Sequence, residues 1–121
     1  GKACITRLEG NNIEIDVDFL LQFPNLRYLE GITVVMKTVD DATKMAQLSD
    51  LQKAIFFLDG KPWNVNQDIY DTYVNLLCVN SNRSLIGRQL YFLIPNLLMR
   101  LKSSGIAKIQ PDIIALESTK V

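Results

Sequence analysis

The sequence predicts an α/β fold in which short, mostly parallel strands alternate with helices, and three observations carry that expectation. The segment Ala54-Ile55-Phe56-Phe57-Leu58 is an unbroken apolar run closed by Asp59-Gly60, the pattern of a strand covered by helices on both faces. Helical patterns flank it, the earlier one opened by Thr38 with Asp41 three positions on, a capping-box spacing. Rows of 25 residues also align Leu26, Leu51, Leu76 and Leu101, and each row holds one strand pattern and one helix pattern. The alternative is a single compact α+β domain built on the same central strand.

Each element has a local reason. Ala3 to Leu8 and Asn12 to Val17 read as two strands joined by a turn at Gly10-Asn11-Asn12, with Ile13, Ile15 and Val17 alternating against Glu14, Asp16 and Asp18. A short helix follows from Asp18 to Gln22, capped by Asp16 or Asp18 and stopped by Pro24. Arg27 to Glu30 and Ile32 to Lys37 form a strand interrupted by Gly31, and Ile32, Val34 and Met36 share its inner face. The capped helix runs from Val39 to about Leu48 and buries Val39, Ala42, Met45, Ala46 and Leu48.

Beyond the central strand, a helix from Asn66 to Leu77 buries Ile69, Tyr73 and Leu76 or Leu77, and its last turn reads equally well as a short strand. The longest helix is expected over Leu85 to Ser103, with Ile86, Leu90, Leu93, Ile94, Leu97, Leu98 and Leu101 inside and a kink at Pro95. Gly105 would end it, Ile106 to Gln110 would be the last strand, and Pro111-Asp112 would open a closing helix through Glu117.

Length and composition bound the function. The 121 residues fit one domain, able to bury roughly two thirds of the unfolded surface. Thirteen basic and thirteen acidic side chains leave a formal charge of zero, so nucleic acid and anionic membrane have no general attraction and would need a local patch. There is no histidine, which removes the commonest general base and metal ligand. Cys4 and Cys78 sit among apolar residues without ligand spacing and read as buried thiols in a reducing, intracellular (cytoplasmic or nuclear) compartment. The most apolar window, Leu85 to Leu101, carries Arg88, Gln89, Asn96 and Arg100 and therefore reads as core and not as a membrane span. No signal peptide is visible, and a start at Gly1-Lys2 fits a processed product or a piece of a longer chain.

In the rows of 25, Phe23-Pro24-Asn25-Leu26-Arg27-Tyr28-Leu29 and Leu48-Ser49-Asp50-Leu51-Gln52-Lys53-Ala54 are the closest pair. From Phe23 to about Ile109 the chain resembles leucine-rich repeats, whose rows place leucines at such spacings before and within a short parallel strand. The resemblance implies a stacked β/α solenoid that binds partners through exposed strand side chains. Where those repeats carry a turn-capping asparagine this chain has Val34, Asp59, Ser84 and Ile109, of which Asp59 alone can cap.

The first functional expectation is therefore a non-enzymatic protein-docking module that needs no cofactor. Arg27, Tyr28, Glu30, Gln52 and Lys53 are its contact candidates, with Trp63 as an aromatic anchor. The second class is a small enzyme or nucleotide- and magnesium-binding domain using the strand-end carboxylates Asp16, Asp18 and Asp59, beside Glu14; it lacks a glycine-rich phosphate loop. The third is nucleic-acid binding by a winged-helix-like last third, with Arg88, Arg100 and Lys102 toward phosphates. Solvated helix and strand faces are the plainer account of both charge sets.

Overall fold

A computed structural model describes residues 1–59, 63–94 and 112–116, with 63–65 and 112–116 described by backbone only. Five strands form one sheet in the order β1-β2-β3-β4-β5. They are β1 (Arg7–Asp16), β2 (Tyr28–Met36), β3 (Lys53–Leu58), β4 (Gln89–Ile94) and β5 (Asp112–Leu116). The first four pair in parallel and β5 pairs antiparallel with β4. Helices α1 (Val17–Leu20), α2 (Val39–Met45) and α3 (Trp63–Asn80) fill the parallel crossovers. The α/β expectation with mostly parallel strands is met.

Strands added one after another along the same direction of a sheet, by crossovers of one hand, leave their helices on one face. The side chains agree. Val34 and Met36 of β2, Ala54, Phe56 and Leu58 of β3, and Leu90 and Phe92 of β4 are buried, whereas the intervening Thr33, Val35, Phe57, Tyr91 and Leu93 are half-buried and Ile55 is 37% exposed. β3 is central, as expected, but described helices cover only one of its faces. An apolar run shows that a strand is poor in polar groups and does not show that both faces are occupied.

The core under the covered face is set by helical spacing. Ala42, Met45 and Ala46 of α2 and Ile69, Tyr73 and Leu77 of α3 are buried, and α1 touches α2 while α2 packs on α3. Thr38 closes the expected capping box: its hydroxyl accepts from the Asp41 amide at 3.2 Å and the Asp41 carboxylate accepts from the Thr38 amide at 3.3 Å. An aromatic cluster ties β3 and β4 to α3, with the Phe56 and Phe92 rings stacked at 5.1 Å and Tyr73 at 4.9 Å from Phe56. Such ring pairs are worth about 0.5–1.5 kcal/mol each beyond the area they bury.

Several local expectations are corrected. Gly10-Asn11-Asn12 is no hairpin: β1 runs through it and is displaced by a bulge between Glu9 and Ile13, and Asn12 takes a positive φ of 56°. Ala3 and Cys4, read as the start of a strand, lie in a 3-10 turn over Lys2–Cys4. Helix α1 begins at Val17 with Asp16 at its N-cap, without a side-chain capping bond. Helix α2 ends at Met45, three residues short of Leu48, and Val39 at its start is exposed. The last turn of α3 is helical to Asn80.

The largest correction concerns Leu85 to Ser103. Its first part is a turn at Leu85 to Arg88 followed by β4, and Ile86, placed inside the helix by the sequence, is exposed. Leu90 and Phe92, two apart, are the buried pair, and Gly87 at φ 85° turns the chain into the strand. The closing helix from Pro111 is also corrected, since 112–116 is β5. The rest of the long helix, the stop at Gly105 and the strand over Ile106 to Gln110 lie outside the described residues. Cys4 and Cys78 are both free and exposed, not buried.

Candidate functional site

The face of the sheet away from the helices is built in rows. Strand register aligns Arg7 with Tyr28, Lys53 and Gln89; Glu14 with Thr33, Ile55 and Tyr91; and Asp16 with Val35, Phe57 and Leu93. Because side chains alternate along a strand, these rows share one face. Two regions of opposite character result.

At the end where the strands begin, Glu30 accepts from Lys53 Nζ at 3.0 and 3.1 Å and from Arg7 Nη2 at 3.3 Å. Arg7 also binds Glu9 at 3.0 Å and lies over the Tyr28 ring, 5.8 Å from its centroid. The hydrogen bond to Glu9 holds the Arg7 pKa above its ordinary value. These groups are solvent-accessible, so water screens each pair, and what the ladder fixes is side-chain position across three strands.

At the end where the strands finish, an open cleft of about 570 Å³ is lined by Glu14, Ile15, Asp16, Asp18, Phe19, Val35, Lys37, Phe57 and Asp59. Its apolar lining is Ile15, Val35, Phe57 and the half-exposed Phe19. Four carboxylates stand against one amine. Asp18 accepts from Lys44 at 3.2 Å, and that bond, with the one to Asp40, raises the Lys44 pKa. Glu14, Asp16 and Asp59 have no ion-pair partner among the described residues.

The expected contact residues sort into two groups. Tyr28, Glu30 and Lys53 come together on the open face through the ladder. Arg27 and Gln52 stand one step earlier, where the Arg27 carbonyl accepts from the Gln52 and Lys53 amides and the Gln52 carbonyl from the Gln89 amide. Trp63 begins α3, and its side chain lies outside the described residues. Asp16, Asp18 and Asp59 do share the cleft, but among the described residues no three His, Cys, Asp or Glu groups are arranged to hold a metal ion.

Arg88 is not available to phosphates. It is 2% exposed, its Nη1 donates to the carbonyls of Ser49 and Leu51, both at 2.9 Å, and its Nη2 donates to Ser81 Oγ at 2.7 Å. Together with the strand at 89–94, this removes the recognition helix expected to begin at Leu85. Arg100 and Lys102 lie outside the described residues.

Sequence reasoning passed over the open-face residues Val35, Ile55, Phe57, Tyr91 and Leu93. Their alternation with Val34, Phe56 and Phe92 was present in the chain, but every one of them is apolar or aromatic, so polarity gave no contrast between faces. Among the described residues no helix is long and apolar enough to cross a membrane. The chain matches no protein-family model, and no curated protein or solved structure matches it.

Proposed function

We propose that this chain is a β/α repeat module, akin to leucine-rich repeats, that docks a protein partner through the open face of its sheet without catalysing a reaction. One observation carries the assignment: a parallel sheet laid down in sequence order has its described helices packed to one side and presents aligned rows of strand side chains, charged at both ends and apolar between, on the other. Apolar strand surface left uncovered is the usual mark of an interface.

Repetition is supported by the turn before each strand. An i+3 amide closes on the carbonyls of Phe23, Leu48 and Leu85, just ahead of β2, β3 and β4. Leu26 and Leu51 are both buried at that corner, whereas Leu76 falls inside α3 and Leu101 outside the described residues. The step between rows is 21 residues from Arg7 to Tyr28, 25 from Tyr28 to Lys53 and 36 from Lys53 to Gln89. The rows are thus unequal in length, the last one lengthened by the 18 residues of α3.

A nucleotide- or magnesium-binding role has weaker support, because sequential strand order offers no point where the order reverses and opens a crevice. The test is a photo-reactive residue placed at Ile55 on the open face or at Val79, exposed on α3. Docking predicts discrete adducts in native extract from position 55 and none from 79. Adducts from 79 alone, or equally from both, would contradict it.

A further inference from the structure

We infer that the segment docking on the open face is basic, an extended or helical stretch of a partner protein that sets aliphatic side chains on Val35, Ile55, Phe57 and Leu93 and lysine or arginine heads among Glu14, Asp16 and Asp59. The inference rests on the docking assignment above and adds the chemistry of the occupant. Charge complementarity is the basis for it. The chain as a whole is neutral, yet at the finishing end of the strands Asp18 is paired with Lys44, while Glu14, Asp16 and Asp59 have no ion-pair partner among the described residues and share the cleft with Lys37.

The apolar lane and the carboxylates are adjacent by register. Asp16 is aligned with Val35, Phe57 and Leu93, and Glu14 with Thr33, Ile55 and Tyr91. A lysine or arginine stem is itself aliphatic, so it covers apolar surface while its head reaches the rim. An acidic segment would bring like charges together at that rim, which is how such a surface rejects it. The opposite end adds no comparable preference, since Glu30 is already shared by Arg7 and Lys53.

The test is fluorescence anisotropy of the intact chain with a short labelled peptide alternating lysine and leucine, beside peptides carrying glutamate for lysine or serine for leucine. The lysine–leucine peptide is expected to bind, to weaken by about tenfold on raising salt from about 50 to about 300 mM, and to lose a similar factor in Glu14→Gln/Asp16→Asn/Asp59→Asn. None of the three carboxylates has an ion-pair partner among the described residues and Asp16 makes no capping bond, so the triple variant is expected to keep its fold, and Asp68→Asn/Asp71→Asn on α3 serves as a charge control away from the open face, two charges against three. Serine for leucine should weaken binding as Ile55→Ser does.

Equal binding of the glutamate peptide, or unchanged binding by the triple variant, would overturn the inference. So would self-association abolished by the same substitutions, which would make the occupant a second copy. Binding that appears only after residues 95–111 are replaced by a short glycine–serine linker, which keeps a turn between β4 and β5, would give the face to the chain itself. Adducts from position 55 without a preference for the basic peptide would leave docking standing and remove this inference alone.

Discussion

Arg88 Nη1 donates to the Leu51 carbonyl at 2.9 Å, so a guanidinium on the approach to β4 fastens the turn that precedes β3. The same nitrogen reaches Ser49, and Nε reaches the Ser84 carbonyl at 3.3 Å. Burial draws the Arg88 pKa down, and the favourable field of Tyr73 opposes it. Replacing Arg88 by alanine strands two inward carbonyls and should cost about 3 kcal/mol or more in urea unfolding. Arg88→Lys, whose single amine cannot reach Ser81 Oγ and the Ser84 carbonyl as well as these two, should recover only part of that. A loss under about 1 kcal/mol for Arg88→Ala would mean that water replaces the guanidinium there.

Gly31 and Gly87 separate two costs of a side chain at positive φ. Gly31, at φ 64°, would place a Cβ 2.1 Å from the Gly10 carbonyl oxygen; Gly87, at φ 85°, has nothing within 4 Å of that position. Gly87→Ala should lower stability by about 1 kcal/mol through backbone strain. Gly31→Ala should cost at least about 2 kcal/mol more, because backbone must move and β1 and β2 are bulged against each other there. Thermal unfolding of the two variants checks the order.

Tyr73 packs against the stacked Phe56 and Phe92 rings, and its hydroxyl is buried without a hydrogen-bond partner among the described residues. Tyr73→Phe should leave stability at neutral pH unchanged or raise it by up to about 1 kcal/mol. Burial lifts the Tyr73 pKa well above its ordinary 10.0, and Arg88 only partly offsets this. Below pH 10.0 the phenol is protonated in both states, and above it the unfolded chain loses a proton that the native chain keeps. Stability therefore falls by about 1.4 kcal/mol per pH unit above that point on account of this group. Tyr73→Phe should remove that part of the alkaline slope, and an unchanged slope would show the hydroxyl is not held in an apolar site.

What could be seen in the chain beforehand followed from local chemistry. Thr38 and Asp41 mark a helix start because their bonds span three residues, and Ile32, Val34 and Met36 show a strand face by alternation. Gly31 marks a bulge because few other residues adopt its φ. Longer-range facts were hidden. Leu90 and Phe92 also fit an apolar helix, and only pairing with β3 decides for strand. Arg88 looked like a surface cation because its acceptors, Ser49 and Leu51, lie 39 and 37 residues earlier. Asn66, whose Nδ2 reaches the Leu58 carbonyl at the end of β3, is buried for the same kind of distant reason.

The most direct measurement compares neighbours on opposite faces of β3. In a Cys4→Ser/Cys78→Ser background, tolerated because both thiols are exposed, Ala54→Cys and Ile55→Cys are labelled in turn with a maleimide under native conditions. Cysteine at 55 should react within about tenfold of an unfolded peptide, and cysteine at 54 should be slower by about a hundredfold or more. Comparable protection at both positions would mean that the face assigned to a partner is already covered, and the docking account would fail with it.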